Sequence, residues 1–450
     1  MYFMFDFSEN IKKIIYSVKI SIVFTIFIML CLSNINPVHA QNLNLQALSN
    51  NTGVKVDALM RIGDNHNIRI YNYIVNESSN SSEQIKLLNK GLKQLKNHEF
   101  KDSITSFTES LKINSDFTEA YVARGDAHYK LGQIEKSFED YNKALQANSK
   151  SVDAHIGLGK LLFTKGDYNA AIEKFTLAIS LNNNYYDAYS ARGSVYAAMG
   201  QYKEAIKDYS EAINLNPQYL DAYLERGYSK SYLEDYQGVV EDSTKAIELD
   251  SEEKEYIPYN NRGLALFYLG NRVNALKDLD RCHKINPQFS AAYYNQGLIF
   301  EDLKEYDRAI SSYNQAIQYK DDDYDAWNKR GDALSESGEY AEAVLSYDRA
   351  LIGLPHDPIT WSRKGSALHY LGEYEKSIYS YDRVLEYNPD YIWAWYHKAQ
   401  IYGSQNNLLL AVENLRQAIN FNSEYKEEAK TDKDFDLIRE HPKFKELVQS

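Results

Sequence analysis

The chain of 450 residues is dominated by a 34-residue period that runs from Gln84 to Tyr425. Ten consecutive segments share one pattern, and the spacing slips only once, by two residues around Lys254 and Glu255. A fixed period of this length indicates units that cannot bury their apolar faces alone, so that neighbouring units supply the core. We number the places of each segment from one to thirty-four. The segments are 84–117, 118–151, 152–185, 186–219, 220–253, 256–289, 290–323, 324–357, 358–391 and 392–425.

Each segment has the pattern of two helices joined by a tight turn. In the fourth segment, Tyr202, Ile206, Tyr209 and Ile213 follow the i, i+4, i+7 spacing of an amphipathic helix. Gly200 stands before this helix, and glycine recurs at the same fifteenth place in six segments. A left-handed residue there can close one helix and admit the next. The sequence therefore predicts an all-α fold.

Glycine also occupies the eighth place of the first nine segments, inside the first helix, and Ala399 replaces it in the tenth. A glycine within a helix costs about 0.5–1 kcal/mol relative to alanine, so close packing must offset this loss. Alanine is frequent at places twenty and twenty-seven of the second helix. We expect the two helices to approach closely through these small residues.

The complete pattern resembles the tetratricopeptide repeat. It combines an aromatic at place four, glycine at eight, alanine at twenty, an aromatic at twenty-four, alanine at twenty-seven and, in some segments, proline at thirty-two. The resemblance covers residues 84–425 and implies a right-handed superhelical solenoid of antiparallel helix pairs. Residues 426–450 are similar to the C-terminal capping helix that often follows the last such repeat. The fold hosts many binding roles, so the resemblance alone does not name a function.

Place seven is arginine in five of the repeats, whereas the family often has leucine there. At about 100° per residue, place seven falls beside places four and eleven, so these arginines point toward the packed face and need a partner. Four of the five repeats carry aspartate at place twenty-three. We expect ion pairs within these repeats; the alternative is two independently solvated charges, because exposed pairs contribute little. The expected pairs are Arg124 with Asp140, Arg192 with Asp208, Arg226 with Asp242, and Arg262 with Asp278.

The first 40 residues have the pattern of an export signal. Lys12, Lys13 and Lys19 precede an uncharged, largely apolar run over 20–32, and Ala40 ends a short Val-His-Ala stretch. The run is shorter than the roughly 20 residues that span a membrane comfortably. We expect residues 1–40 to be a signal peptide and the protein to be exported, periplasmic or secreted. The alternative is an uncleaved membrane anchor with the repeats outside the cytoplasm.

Residues 41–83 are rich in asparagine and serine and are expected to be a polar linker. The two cysteines, Cys31 and Cys282, form neither a disulfide framework nor a zinc spacing. Cys282 stands at a small-residue core place, where it is expected to pack as an inert side chain.

Charge and motifs argue against several functional classes. The net charge of −13 disfavours nucleic acid, since neither phosphate neutralisation nor a basic stripe is available. Metal-binding and phosphate-binding motifs with the spacing that catalysis needs do not occur in the sequence. We therefore expect a protein that is not an enzyme and uses no cofactor or metal. Membrane contact is expected only if the N-terminal segment stays uncleaved.

Places two, five, nine, twelve and thirteen of the first helix project opposite the packed places four, seven and eleven. We call this surface the first-helix face, and in the family it lines the concave groove. It carries aromatics that provide contact area at low entropic cost, interspersed with acidic residues. The alternative is that tyrosine is simply abundant, since the chain has 39. The candidate partner-binding residues are Tyr129, Phe163, Tyr228, Tyr232, Phe267, Tyr268, Tyr294, Tyr370 and Tyr396, and the acidic ones are Asp126, Glu301, Asp302, Asp332 and Glu336.

The family's clamp for peptide C-terminal carboxylates uses Lys, Arg and Asn on this face. Here place five has no lysine and place nine has no asparagine, which disfavours binding of chaperone tails. We expect an exported scaffold that binds a protein or peptide in the groove. The alternatives are a membrane-tethered assembly subunit of an envelope complex and an accessory subunit of an enzyme.

Repeat five departs most from the pattern. Lys230 stands at the usually apolar eleventh place, Val239 replaces the small twentieth residue, and Ser243 replaces the aromatic at twenty-four. Two extra residues follow in an acidic stretch. Because array stability is nearly a sum of repeat and nearest-neighbour terms, we expect this repeat to be poorly filled and a hinge to lie between residues 250 and 258.

Overall fold

The structure is a computed structural model that describes residues 82–449. The expected signal peptide and almost all of the expected linker lie outside these residues. The chain divides into two compact units, one up to Gln201 and one from Tyr202 onward.

The described residues form 22 α-helices and one 3-10 helix, and no strand occurs among them, which confirms the predicted all-α fold. The first unit holds α1 to α7 and the second holds α8 to α22. The bounds are α1 Glu83–Lys96, α2 Phe100–Ile113, α3 Thr118–Lys130, α4 Ile134–Ala147, α5 Val152–Thr164, α6 Tyr168–Leu181, α7 Tyr186–Ala198, α8 Tyr202–Leu215, α9 Leu220–Ser231, α10 Tyr236–Leu249, α11 Ile257–Tyr268, α12 Arg272–Ile285, α13 Ser290–Asp302, α14 Tyr306–Tyr319, α15 Tyr324–Ser337, α16 Tyr340–Gly353, α17 Pro358–Tyr370, α18 Tyr374–Tyr387, α19 Ile392–Ser404, α20 Leu408–Phe421, α21 Tyr425–Thr431 and α22 Pro442–Gln449, with the 3-10 helix at Lys433–Phe435.

Across the described residues, each helix is too short or too polar to cross a membrane.

The turn between the two helices of a repeat has a left-handed residue at place fifteen. Six repeats use glycine, as Gly200 does at φ 73°. Repeats one, five, seven and ten place His98, Glu234, Lys304 and Asn406 there, with φ between 57° and 62°. The turn geometry is therefore kept even where a side chain must adopt a conformation that favours glycine.

The aromatic ring at place twenty-four packs directly against the glycine at place eight. A β-carbon built on Gly297 would lie 2.4 Å from the ring of Tyr313, and one on Gly91 would lie 2.4 Å from Phe107. The alanines at places twenty and twenty-seven are fully buried, as Ala309 and Ala316 show. The ring, rather than these alanines, is what excludes a side chain from the eighth place.

Repeat five is filled differently from the expectation. Lys230 is not a misplaced charge, because its Nζ lies 3.0 Å from Oδ2 of the buried Asp242. Gly227 does meet looser packing, since the nearest atom to a built β-carbon is Cβ of Asp242 at 3.4 Å. The absence of a ring at Ser243 explains this looseness.

The extra residues after repeat five form a hydrogen-bonded turn. The Glu255 amide donates to Oδ2 of Asp250 at 2.7 Å, and the Glu253 amide donates to the Asp250 carbonyl at 3.2 Å. Helices α10 and α11 on either side pack against each other. A hinge at 250–258 stays a prediction, and it would have to open these contacts.

The C-terminal segment, residues 425–449, packs against the last repeat of the second unit. Phe435, Phe444 and Leu447 are buried in one cluster with residues of α19 and α20. A β-carbon on Gly403 would lie 2.6 Å from the Phe435 ring, so glycine at this place lets the segment approach the last repeat.

Candidate functional site

The place-seven arginines hold the first helices in position. Arg226 donates from Nε and Nη2 to the two carboxylate oxygens of Asp242, at 3.0 and 2.6 Å. Arg262 and Asp278 make the same two bonds at 2.7 and 2.8 Å. In these two repeats the bidentate bonds join the first helix to the second.

In the first unit, Arg124 donates to Asp140 at 2.8 and 2.7 Å. Arg192 and Asp208 belong to different units, so their pairing stays a prediction. The Arg192 Nη1 donates to Thr176 of the preceding repeat at 3.0 Å.

Each arginine also binds the preceding repeat, a role that the sequence interpretation missed. Nη1 of Arg226 donates to Oγ of Ser210 at 3.0 Å, and Nη1 of Arg262 donates to Oγ1 of Thr244 at 3.1 Å. These acceptors stand at place twenty-five. The recurrence of Ser or Thr at place twenty-five could have predicted these hydrogen bonds from the sequence.

The candidate residues of the first unit are partly buried. The hydroxyl groups of Tyr129 and Thr164 lie 3.1 Å apart, and Phe163 contacts Tyr168 with ring centroids 5.7 Å apart. Asp126 accepts a hydrogen bond from Tyr141 at 2.6 Å. Burial raises the pKa of Asp126 to about 6 despite this bond.

Repeat five contributes the first part of an aromatic surface in the second unit. The hydroxyl oxygens of Tyr228 and Tyr232 lie 2.8 Å apart. Tyr232 stacks on Tyr202 of the preceding repeat with ring centroids 4.4 Å apart, and it remains 45% exposed.

Repeat six continues this surface. Tyr268 stacks on Tyr236 with centroids 4.6 Å apart, contacts Phe267 at 5.4 Å and is 53% exposed. Tyr294 of repeat seven is partly buried against Tyr313. We call the six rings of Tyr202, Tyr228, Tyr232, Tyr236, Phe267 and Tyr268 the aromatic cluster.

The sequence analysis did not predict that the side chain at place thirteen of one repeat stacks on the side chain at place seventeen of the preceding repeat. Tyr370, 72% exposed, stacks on Tyr340 at 4.6 Å in the same way. Where place thirteen is acidic, the contact is polar: Asp302 pairs with Arg272, and Glu336 accepts from Tyr306 at 3.4 Å. Each place-thirteen side chain named here therefore has a structural contact as well as an exposed side.

Repeats seven and eight replace aromatics with carboxylates. Glu301 accepts from the hydroxyl of Tyr313 at 2.7 Å and from Lys329 at 3.0 Å. Asp332 accepts from Tyr347 at 3.0 Å and pairs with Arg363 at 2.9 Å. Two groups supplied by neighbouring helices thus hold each of these carboxylates.

Asp325 and Glu336 are exposed and have no ion-pair partner among the described residues. The face therefore carries unneutralised negative charge in repeat eight.

Tyr202, Tyr228 and Tyr268 of the aromatic cluster are uncharged at physiological pH. Burial raises the pKa of Tyr202 to about 12 and also raises the pKa values of Tyr228 and Tyr268. The hydroxyl groups of these three tyrosines therefore remain hydrogen-bond donors as well as acceptors.

The interpretation of Tyr396 as a groove residue is wrong. Its side chain is 1% exposed, and its hydroxyl donates to Asp432 at 2.8 Å. Gln400 donates to the same carboxylate oxygen at 2.7 Å, and Phe435 packs beside the ring. The chain's own C-terminal segment covers the face of repeat ten, which the repeat pattern could not show.

Within residues 82–449, His, Cys, Asp and Glu side chains form no group of three or more that could hold a metal ion.

A family model described as "TPR repeat" matches residues 125–166, 159–200, 193–230 and 365–406 of the chain. Models described as "Tetratricopeptide repeat" match residues 260–322, 294–358 and 394–425. Together they cover more than half of the chain. This family and its fold are typically non-catalytic scaffolds.

The curated relatives match short stretches. Hsp70-Hsp90 organizing protein 3 of Arabidopsis thaliana is 33% identical over 61 residues, 14% of this chain and 11% of that protein. Human tetratricopeptide repeat protein 6 is 30% identical over 59 residues, 13% of this chain and 11% of that protein. The chain thus spans about a tenth of the length of these relatives.

Among solved structures, the chain is similar to YrrB, a TPR protein with an unusual peptide-binding site, at 23% identity and TM-score 0.36, over 41% of this chain and 95% of YrrB. It is also similar to the APC/C hetero-tetramer Cut9-Hcn1 at 18% identity and TM-score 0.49, over 67% of this chain and 59% of that chain. The repeated helix pairs and the family matches agree, and the chain belongs to the tetratricopeptide repeat family.

Proposed function

We propose that this protein is a non-enzymatic scaffold that binds a protein or peptide partner on the first-helix face of its second unit. The observation that carries the proposal is the aromatic cluster, whose rings come from repeats four, five and six. Two of its rings, Tyr232 and Tyr268, are about half exposed although each stacks on a tyrosine of the preceding repeat.

The cluster has the chemistry of an interaction surface. Tyrosine combines a large apolar ring with a polar tip and loses little conformational entropy on binding, which explains its enrichment at binding hot spots. Stacking already restricts Tyr232 and Tyr268, so a partner meets a preorganised surface and less entropy is lost on association.

Partner identity is not carried over from the relatives. The Arabidopsis relative is named for organising Hsp70 and Hsp90. In this chain, repeats five to nine have no Lys or Arg at the face places and no Asn at place nine, so we do not propose the same ligands.

We also propose that the protein is exported. The support is the sequence of the N-terminus, where three lysines precede an apolar run of 13 residues and a small residue stands at Ala40. N-terminal sequencing of the protein from its native host tests this, with a start at Gln41 expected. A start at Met1 on membrane-bound material would favour the anchor.

The binding proposal is tested by replacing Phe267, Tyr268 and Tyr294 together with alanine. We expect capture of the native partner to fall about a hundredfold or more, since hot-spot rings each contribute at least about 2 kcal/mol. The matched control is Tyr379→Ala, because Tyr379 is 57% exposed on the second helix of repeat nine, outside the face.

Circular dichroism and thermal unfolding of both variants show whether the array remains folded. Undiminished capture by the folded triple variant would contradict the proposal. Equal loss of capture in the Tyr379→Ala control would contradict it as well, because binding would then depend on the opposite helices.

A further inference from the structure

We infer that the partner of the second unit carries arginine side chains, whose guanidinium groups lie over the exposed tyrosine rings at place thirteen and pair with Glu336 between those rings. This inference rests on the proposed function and specifies the chemistry of the partner. Three features support it: the place-thirteen side chains form one row, ring faces in this row are exposed, and the surrounding charge is negative.

The side chains at place thirteen of repeats five to nine form a row along the second unit. Each of them contacts the residue at place seventeen of the preceding repeat, so the row continues from one repeat to the next. Tyr232, Tyr268 and Tyr370 stack on Tyr202, Tyr236 and Tyr340, Asp302 pairs with Arg272, and Glu336 accepts a hydrogen bond from Tyr306. We call Tyr232, Tyr268, Asp302, Glu336 and Tyr370 the place-thirteen row.

The tyrosines of the row present ring faces to solvent. The rings of Tyr268 and Tyr236 are 19° from parallel, with centroids 4.6 Å apart. Those of Tyr370 and Tyr340 are 13° from parallel at 4.6 Å. Such stacking covers one face of a ring, and Tyr268 and Tyr370 remain 53% and 72% exposed. Because the face of an aromatic ring carries partial negative charge, it attracts a cation.

Arginine is the cation that suits a row of rings and carboxylates. Its planar guanidinium group stacks on aromatic faces and bonds a carboxylate through two donors, whereas the lysine ammonium group is compact and strongly hydrated. The second unit already contains this combination. The guanidinium carbon of Arg226 lies 5.6 Å from the centroid of the Tyr223 ring while its nitrogens bind Asp242. A partner arginine can contact a ring and a carboxylate of the row in the same way.

The charge of the second unit favours a cationic partner. This unit holds 44 Asp and Glu residues against 29 Lys and Arg residues, and the face places of repeats five to nine hold no Lys or Arg. Within the row, Arg272 neutralises Asp302. Glu336 is exposed and has no ion-pair partner among the described residues. It stands between Tyr268 and Tyr370 in the row, so a cationic segment would meet a ring on either side of this carboxylate.

The test is a fluorescence anisotropy titration of the full chain with four fluorescein-labelled peptides. The first peptide repeats Arg-Gly-Ser six times and is flexible, so the test assumes no conformation of the partner. The other three replace every arginine by lysine, by citrulline or by glutamate. Citrulline has the shape of arginine without its charge.

We expect the arginine peptide to bind about fivefold more tightly than the lysine peptide, because cation–π contacts with two rings favour the guanidinium group. The citrulline and glutamate peptides are expected to bind at least about tenfold more weakly than the arginine peptide, since they lack the charge that pairs with a carboxylate. Higher salt should weaken binding of the arginine peptide.

Two kinds of variant locate the binding. Glu336→Gln is expected to weaken the arginine and lysine peptides alike, by about threefold. The matched control is Glu375→Gln, because Glu375 is exposed on the second helix of repeat nine, outside the row, and this variant should bind as the unchanged protein does. Tyr268→Leu and Tyr370→Leu keep an apolar side chain, and each should lower the preference for arginine over lysine about twofold. Circular dichroism shows that each variant is folded.

Equal affinity for the arginine and lysine peptides would overturn the assignment of arginine. Equal weakening by Glu336→Gln and Glu375→Gln would overturn the place-thirteen row as the site, because the peptides would then bind the acidic surface in general. If none of the peptides binds while the triple alanine variant still loses the native partner, the inference fails and the proposed function stands. If the triple variant keeps its partner, both fail.

Discussion

Repeats five and six differ from repeats nine and ten in how they position the cation at place seven. In the earlier pair, Arg226 and Arg262 bind an aspartate within the same repeat, and the side chains of those aspartates are 3% and 11% exposed. In the later pair, Lys364 and Lys398 instead reach Asp348 and Asp382 of the preceding repeats, each at 2.6 Å. The side chains of these aspartates are 49% and 53% exposed.

The residue at place twenty-three explains the difference. A buried aspartate needs a partner with two aligned donors, which the guanidinium group supplies. In repeats nine and ten, Ser380 and Asn414 stand there and donate to backbone carbonyls four residues earlier, at 2.9 and 2.8 Å. The lysine then pairs outward, over the ring of Trp361 or Trp395. The same repeat pattern thus contains ion pairs with a buried aspartate in one region and ion pairs with a half-exposed aspartate in another.

The largest difference is expected when the carboxylates are removed. Asp278→Ala leaves the Arg262 charge partly buried and unpaired, and we expect a loss of about 3–5 kcal/mol in the free energy of unfolding. Asp382→Ala removes a half-exposed carboxylate, and the flexible stem of Lys398 lets its ammonium group turn toward water, so we expect a loss of about 0–1 kcal/mol. Urea unfolding followed by circular dichroism measures both. Similar losses in the two variants would remove the distinction between the regions.

Exchanging the cations sharpens the comparison. Arg262→Lys keeps the charge but loses one of two charged hydrogen bonds, so we expect a loss of about 1.5–3 kcal/mol. Lys364→Arg is expected to change stability by less than about 0.5 kcal/mol, since its half-exposed partner Asp348 can adjust to the longer side chain. A tolerated Arg262→Lys would show that charge, rather than bidentate geometry, is what the buried aspartate needs.

A smaller effect separates repeat five from repeat seven at the eighth place. Gly297→Ala would press on the Tyr313 ring and should destabilise by about 1–3 kcal/mol. Gly227→Ala meets only ordinary contact at 3.4 Å and should stabilise by about 0.5–1 kcal/mol through helix propensity. Thermal unfolding of each variant gives the sign. Stabilisation by both would show that the ring moves without cost.

The smallest expected difference is in local opening. Repeat five lacks an aromatic at place twenty-four, so amide exchange should be faster in α10 than in α8 or α16. Hydrogen exchange followed by mass spectrometry resolves these helices. Equal protection would mean that the Lys230–Asp242 contact and the turn at 250–255 compensate for the missing ring.

The sequence predicted the helix pairs because the apolar spacing, the turn glycines and the repeat length all indicate the same fold. It also identified the arginine–aspartate partners, since both residue types recur together at fixed places. It did not show the arginine bond to place twenty-five or the stacking of place thirteen on place seventeen, because these contacts join neighbouring repeats.

Tyr396 shows a different limit. Its place in the repeat predicts exposure, and only the path of residues 425–449 decides that it is covered. Lys230 shows a second limit of the sequence analysis. A charge at a usually apolar place predicts poor packing, and only the structure shows that Lys230 pairs with Asp242. Residues whose environment comes from outside their own repeat were those that periodicity could not describe.

The most direct measurement of the central claim is photo-crosslinking from two exposed tyrosine positions of the full chain in its native host. Benzoylphenylalanine replaces Tyr268 on the first-helix face in one variant and Tyr379 on a second helix in the other; their native side chains are 53% and 57% exposed. We predict that a partner is crosslinked from position 268 and not from position 379. Crosslinking of the same partner from position 379 alone would contradict the assignment of the first-helix face as the binding surface.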